Sequence, residues 1–129
     1  MTHSYFAAIT LLAFTVSNVG AVDRQAVTTV KPLLMTALDQ GEAHGVLVSQ
    51  AAQYIAQTFK STAPIEIDVK TVQALREPGC KRLVITTSQD NVVDFNREKR
   101  DTKPARVAFT YQLNYCRDGR MPQTKEASL

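Results

Sequence analysis

The chain has 129 residues, 14.2 kDa, 44% hydrophobic and 21% charged, with a formal net charge of +3 and a pI near 9.0. Those values describe one small domain and exclude a disordered or collagen-like chain, and no apolar run reaches the ~18 residues of a bilayer-spanning helix. Two cysteines are too few for a zinc ribbon or a dense disulfide scaffold.

The chain opens without charge. All 15 Lys and Arg and all 12 Asp and Glu lie at or beyond Asp23. Tyr5 to Val16 is an apolar run of 12 residues, followed by Ser17-Asn18 and then Val19-Gly20-Ala21. A short apolar core with small residues at positions −3 and −1 is the layout of a secretory signal peptide. Residues 1–21 are therefore expected to be removed on export to the periplasm, leaving a domain over 22–122 and a C-terminal tail over 123–129.

The first ten residues after Ala21 read as a polar lead-in. Pro32 suits a helical first turn, Val30, Leu33, Leu34 and Leu38 share one stripe, and Gly41 is a stop. His44 falls in a Gly-flanked turn and reads as a surface residue. A second helix is predicted from Val46 to Lys60, where Val48, Ala51, Ala52, Ile55 and Phe59 keep helical spacing and Ala63-Pro64 ends it. From Ile65 the period becomes two: Ile65, Ile67 and Val69 alternate with Glu66, Asp68 and Lys70, as in a half-buried strand. Glu66 and Asp68 then sit on its solvated side. Thr71 to Glu77 reads as a short helical turn closed by Pro78-Gly79.

Two more strands follow, Arg82 to Thr87 and Arg106 to Tyr115, joined by a charged connection over 88–104. Placing Cys80 opposite Cys116 makes every opposed pair of these strands sum to 196. Leu83, Ile85 and Thr87 then face Leu113, Tyr111 and Phe109, while Arg82, Val84 and Thr86 face Asn114, Gln112 and Thr110. A one-residue slip would mix the apolar and polar sides. The expected fold is α+β: two N-terminal helices packed on a small, mainly antiparallel three-stranded sheet, with one disulfide.

Chemistry is scarce. No nucleophile elbow, phosphate loop, zinc motif or calcium loop is present, so no catalytic residue, cofactor or metal is assigned and the protein reads as non-enzymatic. The basic residues do not interleave with aromatics, which argues against nucleic acid. Arg117, Asp118 and Arg120 form a basic corner after the last strand and are the candidate partner-binding residues. Gly79-Cys80-Lys81-Arg82-Leu83, taken with Leu113-Asn-Tyr-Cys-Arg-Asp-Gly-Arg-Met-Pro122, resembles small exported accessory proteins encoded with conjugative type IV secretion systems, over roughly Gly41 to Pro122. The resemblance implies an interaction protein of a secretion or transfer apparatus, with another envelope protein as partner. The alternative reading is a periplasmic or secreted inhibitor of a hydrolase.

The lone cysteine pair generates the first prediction. In an exported chain Cys80 and Cys116 form one bridge, so unfolded, unreduced protein should titrate no free thiol. Serine at either position, or at both, should cost the same roughly 2–5 kcal/mol in denaturant melts, because each variant removes the same bond.

Overall fold

A computed structural model describes residues 22–93 and 103–122. The expected signal segment and C-terminal tail lie outside the described residues. The described chain runs β1 (Gln25–Val27), α1 (Lys31–Gln40), β2 (Glu42–Leu47), α2 (Gln50–Thr58), β3 (Ile65–Ala74), β4 (Cys80–Val92) and β5 (Ala105–Cys116). The strands form one sheet in sequence order, with β1 parallel to β2 and every later neighbour antiparallel.

This corrects the expected three-stranded sheet beneath two N-terminal helices. Two strands lie where the sequence suggests a lead-in and a turn. The polar lead-in contains β1, which pairs Gln25 with Gly45 and Val27 with Leu47. The supposed inter-helix turn around His44 is β2, paired with β3 from Glu42 to Val46. The second helix therefore starts at Gln50 rather than Val46. Thr71 to Ala74 continues β3 instead of turning helically, with a bulge between Thr71 and Gln73. The 88–104 connection is shorter than expected, because β4 runs to Val92 and β5 begins at Ala105.

Parallel neighbours need a crossover, and α1 supplies it between β1 and β2. Pro32 occupies its first turn, and Gly41 closes it at φ 91°, a left-handed cap that glycine adopts without strain. Leu33, Leu34, Ala37 and Leu38 are buried against Val27, Ala43, Ile67, Val69, Leu83 and Ile85. The C-terminal end of α1 is also tied down by polar groups. Thr71 Oγ1 donates to the Ala37 carbonyl at 2.7 Å, Lys81 Nζ donates to the Leu38 carbonyl at 2.7 Å, and Arg117 pairs with Asp39. A lysine on the last carbonyls of a helix also meets the negative end of its dipole.

The β4–β5 register is the expected one. Cys80 and Cys116 are opposed and bridged with Cα atoms 3.9 Å apart, and the sum of 196 holds as far as Gln89 and Val107. Cross-strand partners on the polar side bond as well as face each other: Arg82 Nε donates to Asn114 Oδ1 at 3.0 Å, and Thr86 and Thr110 hydroxyls lie 3.1 Å apart. The apolar side behaves differently from the expectation. Leu83 and Ile85 are fully buried, yet Phe109 is 70% and Tyr111 49% exposed, because α1 reaches only part of the sheet.

Gly45 is where α1 and the sheet come closest. A Cβ there would stand 2.5 and 2.9 Å from the Leu33 methyls and 3.2 Å from the Gln25 carbonyl oxygen. Leu33 is fully buried, so its methyls would have to move within the core, and the Gln25 carbonyl is backbone. Gly45→Ala should therefore cost about 1–3 kcal/mol by overpacking, read as a lower urea midpoint at unchanged slope.

Candidate functional site

Two surfaces concentrate unusual features, one on each side of the sheet. On the polar side β2 presents Glu42 and His44, and β3 presents Glu66 and Asp68. Arg24, just before β1, reaches across them. Its guanidinium lies 2.9 Å from Asp68 and 3.2 Å from Glu66, and it also donates to the Gly45 carbonyl at 3.3 Å. His44 Nδ1 lies 2.6 Å from Asp68 Oδ1, and its Nε2 faces Glu42 at 3.7 Å. Arg106 of β5 bonds Glu66 at 3.1 Å and Asp90 at 3.0 Å.

Neither the surface histidine nor the solvated carboxylates of the sequence reading are isolated, because β2 pairs with β3 and puts them opposite one another. Burial works to raise the Asp68 pKa. Hydrogen bonds from Arg24 and then His44 outweigh it and hold the carboxyl below its ordinary value. The ionised carboxylate accepts, so His44 carries its proton on Nδ1. The pairing superficially resembles the base and orienting acid of a hydrolase. Among the described residues, however, the other ring nitrogen meets a carboxylate and not a hydroxyl or thiol.

The helix side has an apolar groove of about 500 Å³ at the end of the sheet remote from the disulfide. Ile55 of α2 and Phe59, which caps that helix, border it, with Ile65, Val92, Val107 and Phe109 from the sheet. It exists because α2 packs lightly. Ser49 caps that helix by accepting from the Ala52 N–H at 3.2 Å, but no α2 residue is buried. The chain after α2 is anchored instead by Ser61 Oγ donating to the Asp90 carbonyl at 2.7 Å and Gln89 Nε2 to the Ala63 carbonyl at 3.0 Å. A partly enclosed, largely apolar site of this size suits an apolar side chain or segment.

The basic corner is placed at the opposite end. Arg117 pairs with Asp39, and Arg120 with Glu77 at 2.8 Å and with Asp118. The turn is closed by the Gly119 N–H donating to the Cys116 carbonyl and the Cys116 N–H to the Arg120 carbonyl, both at 2.9 Å. Its charges thus serve to fasten the turn to α1 and to the β3–β4 connection. Glu77 also lies beside Cys80 and Cys116, but both sulfurs are consumed by the disulfide and offer no thiolate to a metal.

Sequence reasoning missed the groove altogether. Its residues come from four separate segments, and only the amphipathic spacing of Ile55 and Phe59 pointed toward it. No family model, no curated protein and no solved structure matches the chain, so nothing there links it to conjugative type IV secretion clusters.

The depressed Asp68 pKa gives a pH signature. A carboxyl whose folded pKa lies below its unfolded one contributes stability above the unfolded value, near pH 4, and loses it as pH falls through the folded value. Asp68→Asn should lower neutral-pH stability by less than about 1 kcal/mol, since the carboxyl is about a third exposed and solvent screens its pairs. Denaturant melts across pH should show the gap between variant and parent closing below about pH 4.

Proposed function

We propose that this chain is an exported, non-enzymatic interaction protein that receives an apolar segment of a partner in the groove between α2 and β5. The observation that carries this reading is the groove itself, with Phe109 70% exposed at its margin and Tyr111 beside it on the same strand. Large apolar patches left open on a small domain mark interaction sites. The disulfide is compatible with an oxidising compartment, and among the described residues no helix is long and apolar enough to cross a membrane. The uncharged opening segment with its Val19-Gly20-Ala21 exit supports export. The engagement of His44 and Asp68 with Arg24 and Glu42 supports a binding role over a catalytic one.

The partner in this reading is another envelope protein, and the resemblance of the Gly79–Leu83 and Leu113–Pro122 segments to accessory proteins of conjugative type IV secretion systems suggests its setting. The Arg117–Asp118–Arg120 corner ranks below the groove because its charges already have internal partners. No observation favours the hydrolase-inhibitor reading.

Tagged protein in its native host tests both halves of the proposal. Intact mass should place the mature N-terminus at Val22. A cross-linked envelope partner should be retained by the parent and lost by Phe109→Ser, whose exposed site leaves the protomer folded. A full-length, membrane-retained product overturns export, and undiminished partner retention by the variant overturns the groove.

A further inference from the structure

The two edges of the sheet are built differently. β1 is three residues long, too short to template another strand. β5 is 12 residues long, carries no Pro, Lys or acidic residue, and is paired without interruption from Val107 to Cys116. Among the described residues no strand pairs with its outer edge. Its one charged residue, Arg106, is already engaged by Glu66 and Asp90. A long edge without proline or an unengaged charge, regular from Val107 to Cys116 and irregular only where β4 shifts between Gln89 and Val92, invites a strand.

Hydrogen bonds at the disulfide end reveal which backbone groups of β5 point outward. The Cys116 N–H donates to Arg120, while Cys80 donates to Glu77 and accepts from Leu75. The Cys80–Cys116 pair therefore exchanges no backbone bonds of its own. Alternation along an antiparallel ladder then turns Tyr115, Leu113, Tyr111, Phe109 and Val107 toward β4. Asn114, Gln112, Thr110, Ala108 and Arg106 direct their N–H and C=O groups outward. Because the Cys116 N–H is taken, the available run ends at Asn114, so it spans Arg106 to Asn114 and is centred on Thr110.

We infer that a second copy of this chain occupies that edge, β5 pairing antiparallel with β5 about a two-fold axis through Thr110. Opposed residues then sum to 220. Thr110 meets Thr110, Ala108 meets Gln112, and Arg106 meets Asn114 of the second copy, so no like charges oppose one another. On the helix side Phe109 stands opposite Tyr111 of the second copy, twice by symmetry, and Val107 opposite Leu113. These are the non-hydrogen-bonded positions, where side chains approach most closely, and aromatic pairs there are favourable. A two-fold interface is closed, and the short β1 edge stops growth beyond the pair. The inference deepens the groove reading, because Tyr111 of the second copy extends the apolar surface next to Phe109 and joins two grooves.

The test uses positions on the polar side, away from the groove. Ala108 and Gln112 are both exposed, so substitution leaves the protomer intact. Sedimentation equilibrium of the oxidised protein should show a concentration-dependent dimer. A108K/Q112K sets lysine against lysine twice and should weaken the dimer at least about tenfold. A108K/Q112E sets opposite charges against each other in this register alone and should restore it. A monomeric parent, a dimer indifferent to A108K/Q112K, or failure of A108K/Q112E to rescue would each overturn the inference. Partner retention by a monomeric A108K/Q112K chain would leave the groove reading standing, so the two proposals fail separately.

Discussion

The pairing of β4 with β5, closed at one end by Cys80–Cys116, is the constraint on which the rest of the molecule depends. Strand side chains alternate strictly, so that single register decides which residues face α1 and which face solvent. With Leu83 and Ile85 turned toward the helix, α1 can bury its leucines on a continuous apolar floor. With Arg82, Thr86 and Arg106 turned the other way, the polar side becomes a field of cross-strand hydrogen bonds and ion pairs. The bridge also brings Arg117 and Lys81 to the C-terminal end of the helix, where both find anionic or carbonyl partners. Helix, sheet and bridge are thus interdependent at one end of the molecule. The other end is held by a few polar contacts around Ser61 and Gln89 and stays open.

The legible parts of the fold were the longer strands. Ile65 to Lys70 and Arg106 to Tyr115 alternate cleanly, Arg82 to Thr87 is a β-branched run bounded by polar residues, and the pairing of β4 with β5 followed from the faces of those two runs together with two cysteines. β2 was not legible. Glu42-Ala43-His44-Gly45 contains poor strand formers, and Gly41 before it and Gly45 at its end imitate a turn. What makes it a strand lies elsewhere in the chain: β3 on one side, β1 on the other, and Leu33 pressing on Gly45, the position where a side chain would not fit. β1 was invisible for a related reason, since three residues carry too little pattern to register as a period.

Alternation reports the side on which a residue lies, never whether anything covers it. Phe109 and Tyr111 share a face with Leu83 and Ile85, yet only the latter pair lies beneath α1. The ten residues of α1 span roughly 15 Å, whereas β4 and β5 extend for more than twice that length. This mismatch is what produces the candidate site. It depends on relative lengths set by Gly41 and by the light packing of α2, so no local motif announces it. The ionic cluster around Asp68 was hidden in the same way, because Arg24, His44 and Glu66 meet only once β1 to β3 are assembled.

The fastening of the C-terminal end of α1 has a consequence for how the protein breathes. Thr71, Lys81 and Arg117 hold that end from β3, from β4 and from the turn after β5. Releasing the helix there means giving up all three contacts beside a covalent cross-link, so the hydrogen-bonded amides in the last turns of α1 and in the β4–β5 ladder near the bridge need the largest opening to exchange. α2 buries no side chain and shares little with the sheet, so its amides exchange through local opening at far lower free energy. The molecule is therefore graded in rigidity along the strands, with its adaptable end coinciding with the groove and its slowest-exchanging end with the bridge.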